Sequence, residues 1–136
     1  MTGPVKAGRL GRKRSLTPPA DVPPVAEVLD VDREYRERAA KGELHRIAPR
    51  RMNPRNEAWL PVLHAERGAR RYTALYSNTP RAHELGKTHD WVVIYYDEGG
   101  SESQCTVITS ERGALSGKRI VRGREAECER YYEDSA

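Results

Sequence analysis

Apolar side chains are thin along the first part of the chain and dense afterwards: Leu, Val, Ile, Trp and Tyr number 11 through residue 58 and 21 between Trp59 and Tyr132. This contrast places a packed α+β domain at 59–136. Within it, 59–65 and 70–77 read as two strands around a turn at 66–69, where Gly68 can take a positive φ. Thr79 followed by Pro80 has the form of a helix N-cap and first helical position, and Gly86 the form of a stop, which predicts a short helix over 80–85. The run 91–96 and the segment 103–109 flank Asp97, Glu98, Gly99 and Gly100 as a second hairpin. Its first strand is apolar on both faces and therefore central, with Trp91, Val93 and Tyr95 on one side and Val92, Ile94 and Tyr96 on the other. A further strand at 118–122 and a terminal helix at 124–132 complete the order ββαβββα. That order predicts a small antiparallel sheet of four to five strands, with two or three helices in all and the helices on one face.

Ahead of this domain the pattern changes twice. Over 25–42, Val25, Val28, Leu29, Tyr35 and Ala39 fall near one helical face, and acid-to-base pairs four residues apart (Asp32 and Arg36, Glu34 and Arg38, Glu37 and Lys41) support a helix closed by Gly42. Its apolar stripe is narrow, which suits docking on the domain or on a protein partner through 24–41. The connector 43–58 contains Pro49 and Pro54 and is read as irregular. Residues 1–24 have no periodicity and end in Pro18, Pro19, Pro23 and Pro24, so a disordered basic tail is expected there.

Composition sharpens the picture. Leu, Ile and Val total 23 of 136 residues and Phe is absent, so the core is small. The net charge is +4, and Lys6, Arg9, Arg12, Lys13 and Arg14 against Asp21 place that whole excess in the tail. No run of 18 or more apolar residues occurs and no apolar stretch follows the basic N-terminus. A membrane span and Sec-type export are therefore not expected, and a cytoplasmic setting is. Cys105 and Cys128 lack CxxC spacing, which fits a reducing compartment and excludes a zinc ribbon.

Three groups of residues bear on chemistry. From Arg46 to Arg81 the balance is +6, and every base is Arg: Arg46, Arg50, Arg51, Arg55, Arg67, Arg70, Arg71 and Arg81. Guanidinium binds phosphate bidentately and stacks on bases, so Arg50, Arg51, Arg55, Arg70, Arg71 and Arg81 with Tyr72 and Tyr76 form a candidate nucleic-acid surface. Strand alternation puts Arg70, Tyr72, Ala74 and Tyr76 on one face, where the two rings either stack bases or pack beneath the helices. The competing account is a solvated connector that pairs with the acidic 82–117 segment, whose balance is −4. A second group, His83, His89 and Asp90, offers metal-ligand types without a compact signature; a capping or hydrogen-bonding role competes with it. Neither Ser77, Ser110 nor Cys105 sits in a nucleophile motif, and 113–118 lacks the spacing of a phosphate-binding loop. No cofactor is expected.

The strings VAEVLDVDREYR (25–36), IAPRR (47–51), WLP (59–61), YTALYSNT (72–79), RAHELG (81–86), DWVVIYY (90–96) and VRGREAEC (121–128) together resemble a bacterial module found with helix-hairpin-helix proteins labelled as related to family X DNA polymerases. The resemblance spans about 25–132 and implies a DNA-associated context, DNA repair included. The sequence contains no Gly-x-Gly hairpin of the helix-hairpin-helix kind and no paired-aspartate strand, so no residue inherits polymerase activity. The expectation is an accessory nucleic-acid-binding protein, with DNA as partner and without catalysis of its own. A metal-dependent nuclease-like enzyme and a protein-interaction adaptor are the alternatives.

Overall fold

A computed structural model describes residues 22–135 of the chain. The tail expected at 1–24 lies outside the described residues as far as Asp21. Strands β1 (His45–Ile47), β2 (Leu60–Arg67), β3 (Arg70–Tyr76), β4 (Val92–Asp97), β5 (Ser103–Thr109) and β6 (Arg119–Val121) pair antiparallel, in chain order, as one six-stranded sheet. Helix α1 (Val25–Ala40) lies across β2, β3, β4 and β6, and α3 (Glu125–Ser135) packs on α1 and β6. The short helix α2 (Pro80–Glu84) links β3 to β4, and the Thr79 side chain caps it by accepting from the Ala82 amide. No helix among the described residues is long and apolar enough to cross a membrane.

The sheet has two unlike faces. Cross-strand rows Leu63, Ala74, Ile94, Cys105 and Tyr76, Val92, Val107, Val121 point at the helices. Most of their members are fully or nearly fully buried. On the opposite face run Val62, Leu75, Val93, Thr106 and His64, Thr73, Tyr95, Gln104, where burial is at most partial. Among the described residues no helix packs across these rows.

Two of the sequence expectations change. The packed unit includes Pro23 and does not wait for Trp59: Pro23, expected in the tail, is buried and its carbonyl accepts from Arg124 at 2.7 Å, and α1 inserts Val25, Val28, Leu29, Val31 and Tyr35 into the same core as the sheet. α3 packs at β6, and the 16-residue α1, about 24 Å long, covers β2, β3, β4 and β6. The sheet also has one strand more than the upper expectation of five, since part of the connector, His45–Ile47, pairs with the edge of β2. All three of its residues are exposed, so it carries no apolar alternation to read. Within α1 the pairs Asp32 with Arg36 and Glu34 with Arg38 form, while Glu37 pairs back to Arg33 at 2.9 Å. Gly42, at φ 71°, ends the helix.

Two polar side chains on the inner face of α1 fix its placement. Continuing the β2–β3 register by one step would set Pro61 opposite Tyr76. Instead the Tyr76 amide donates to the Tyr35 hydroxyl at 2.9 Å, which donates to the Pro61 carbonyl at 2.7 Å. One turn earlier, Asp32 is fully buried and accepts from Arg36 at 2.9 Å and from Arg119 of β6 at 2.8 Å; Arg119 also reaches Asp90 at 3.1 Å. Urea unfolding should show Tyr35→Phe losing about 1–3 kcal/mol, because a buried amide and carbonyl lose their partner. Asp32→Ala should cost about 3 kcal/mol, the low end for a broken buried pair, because Arg119 keeps Asp90.

Candidate nucleic-acid interface

The inner face of β3 is unavailable to a ligand. Strand alternation does place Arg70, Tyr72, Ala74 and Tyr76 together, but on the side that α1 covers: Tyr72 is 1% exposed, Ala74 0% and Tyr76 8%. The Tyr72 hydroxyl donates to Glu27 of α1, and the Tyr76 ring meets Tyr35 edge-on at 4.9 Å. Burial pushes both phenols above their ordinary pKa. A stacking platform at Tyr72 and Tyr76 is thereby overturned; one face of a strand cannot be both core and binding surface.

Arginines on the hairpin are held by the acidic side of α1. Arg70 pairs with Glu27 at 3.1 Å and Glu98 at 3.3 Å, and Arg67 with Glu34 at 2.7 Å and Asp30 at 3.0 Å. Arg70 is thus bound within the fold rather than offered to phosphate. Arg71 and Arg81 are well exposed, each with one carboxylate neighbour, Asp97 at 3.0 Å and Glu84 at 3.4 Å.

Arg50, Arg51 and Arg55 stand apart from this scheme. All three are exposed, and none has a carboxylate partner among the described residues. They sit on the loop between β1 and β2, which is folded about Asn53: its amide nitrogen donates to the Pro49 and Glu57 carbonyls at 3.0 Å, and its oxygen accepts from the Glu57 amide at 3.1 Å. Met52 and Asn56 adopt left-handed backbone (φ 53° and 52°), a conformation that Asn takes more readily than Met. A second anchor comes from Asn78, just after β3, whose amide nitrogen donates to the Arg51 carbonyl at 2.9 Å. Fixed in this way, Arg50 and Arg51 border a groove of about 310 Å³ whose floor includes Leu75, Val93 and Tyr95 of the open sheet face.

The proposed metal ligands do not assemble. His83 hydrogen-bonds Asn78 at 2.7 Å, while the rings of His83 and His89 pack against Trp59 at 6.4 and 6.0 Å. Asp90 accepts from Thr109 at 2.7 Å and from Arg119. Among the described residues no three His, Cys, Asp or Glu side chains converge as a metal site. Burial pushes the Cys105 thiol up to about 11, which leaves it protonated near neutrality. At the other end of the open face a wider groove of about 530 Å³ is lined by Trp91, Ile108 and Ile120, with Glu111, Glu125 and Glu129 against Lys87 and Arg112. Its net negative lining disfavours phosphate.

Compared with protein-family models, curated proteins and solved structures, the chain matches none. The functional reading therefore stands on its own residues. Sequence reasoning had Arg50, Arg51 and Arg55 among its candidates but missed Tyr95, Leu75 and Val93, whose only signal was their alternation with the core side of the same strands.

Two outcomes follow for the hairpin. Tyr72→Ala and Tyr76→Ala should each lower stability by about 3–5 kcal/mol in chemical denaturation, as for other buried aromatics. Arg33 and Arg67 around Asp30, and Arg67 and Arg38 around Glu34, hold both carboxyls below their ordinary pKa. The unfolded chain then takes up protons first, so this stabilisation is complete above the unfolded values near pH 4 and is lost as pH falls through and below them. Arg67→Met should flatten that acid limb by about 1 kcal/mol, since the groups are partly solvated.

Proposed function

We propose that this protein is a cytoplasmic nucleic-acid-binding accessory factor of DNA metabolism that works by binding rather than by catalysis. One observation carries the reading: Arg50, Arg51 and Arg55 have no carboxylate partner among the described residues, and Asn53 and Asn78 hold their loop beside the open sheet face. Guanidinium groups presented on an ordered loop bind phosphate with little ordering cost. Arg71, exposed on the same sheet face, extends the cationic surface. The cations of the first 24 residues add five positive groups in sequence, which favours a polyanionic partner. The resemblance to a module of helix-hairpin-helix proteins supports DNA as that polymer.

Fluorescence anisotropy with labelled DNA across a salt series tests the proposal. The full chain should bind with a strongly negative slope of log K against log salt. Replacing Arg50, Arg51 and Arg55 by Ala together should reduce that slope by up to about 2 to 3 units on duplex, at ~0.9 per phosphate contact, without lowering stability. Arg67→Met should leave the slope unchanged. Absence of salt-dependent binding, or an unchanged slope in the triple variant, would sink the assignment.

A further inference from the structure

We infer that the groove between the Arg50–Arg51 loop and the open sheet face takes an unpaired base of single-stranded nucleic acid, with the base lying against Tyr95 and its phosphates at Arg50 and Arg51. This deepens the nucleic-acid reading above and rests on it.

Three observations converge on this occupant. The floor is apolar and aromatic, made of Leu75, Val93 and Tyr95, and Ile47 of β1 closes one side while 38% exposed. The rim is cationic, because Arg50 and Arg51 have no internal carboxylate partner among the described residues. Tyr95 differs from the core tyrosines in that its ring packs on no other ring and its hydroxyl has no hydrogen-bond partner among the described residues. Tyr35 and Tyr72 have both kinds of partner, and the Tyr76 ring packs on Tyr35 and His89. A half-buried aromatic beside two free guanidinium groups is complementary to a ligand that is both planar and anionic. At about 310 Å³ the groove sits at the lower end of the ~300–1,000 Å³ of ligand clefts, which suits one ring system rather than a large cofactor. In a duplex the base faces are stacked on their neighbours, so only an unpaired base can present its face to Tyr95, whereas phosphates are available on either form. Single strands should therefore be preferred, and the preference should reside in Tyr95 rather than in the arginines.

The test uses the full chain with a labelled single-stranded oligonucleotide and the duplex of the same sequence, read by anisotropy. Tyr95→Ala should weaken single-strand binding roughly 5- to 150-fold, the range for loss of one base–aromatic stack, and leave duplex binding within about twofold. Tyr95→Phe should bind the single strand as the parent does. Photocrosslinking of the unmodified protein to an iodouracil-containing single strand gives a readout independent of any variant's folding, and the adduct should map to Tyr95. Equal affinity for duplex and single strand with no effect of Tyr95→Ala, or adducts that map away from this groove, would overturn the inference while leaving the arginine loop as a phosphate-binding site. If neither polymer binds in a salt-dependent way, both readings fall.

Discussion

The hydroxyl of Tyr35 occupies the point where the β2–β3 ladder would otherwise continue, accepting from the Tyr76 amide and donating to the Pro61 carbonyl. Proline at 61 has no amide of its own, so the regular β2–β3 ladder could not close there. The tyrosine turns that interruption into a joint between helix and sheet. With α1 anchored there and at Asp32, the apolar rows of β2 to β6 are shielded. Without it, the main helix packed on the sheet among the described residues would be α3, at β6.

The same placement of α1 sorts the cations. Glu27, Asp30 and Glu34 project from α1 toward the hairpin and engage Arg67 and Arg70, which are 25% and 16% exposed. Those arginines serve the fold through partly shielded pairs, where geometry and desolvation make the interaction worth more than at an open surface. The arginines of the β1–β2 loop form no ion pair with that acidic face among the described residues. Arg50, Arg51 and Arg55 have no internal carboxylate partner among the described residues and can meet an external anion.

Covering one face of an antiparallel sheet leaves the other to solvent, and the residues there are intermediate in character: Val62, Leu75 and Val93 interspersed with Thr73, Gln104 and Thr106. Such a face keeps enough polar side chains to remain hydrated and enough apolar surface to give a planar ligand something to lie on. The loop pinned by Asn53 and Asn78 supplies a wall to one part of this face. The open sheet becomes a bounded groove there, and the cations and the unstacked Tyr95 ring meet in it.

Much of the local architecture was legible in the sequence because it depends on neighbouring residues. The Thr79–Pro80 helix start, the turn at Gly68, the extent of β5 and the division of β4 into two faces all follow from capping, turn chemistry and a period of two, which need no knowledge of the rest of the chain. Arg50, Arg51 and Arg55 could likewise be singled out from composition. The sequence did not say which face of β3 the core would claim, since Arg70, Tyr72, Ala74 and Tyr76 satisfy both a buried and a binding pattern. Only the long-range contact of Tyr35 with Pro61 and Tyr76 decides that, by setting α1 over this side of the sheet. The exposed β1 was equally hidden, because a three-residue edge strand is defined by its pairing with β2 and not by any periodicity of its own. Local patterns determined the elements and their amphipathic faces; tertiary packing alone decided which tyrosines were core, which arginines were paired, and where a free ring and free cations came together.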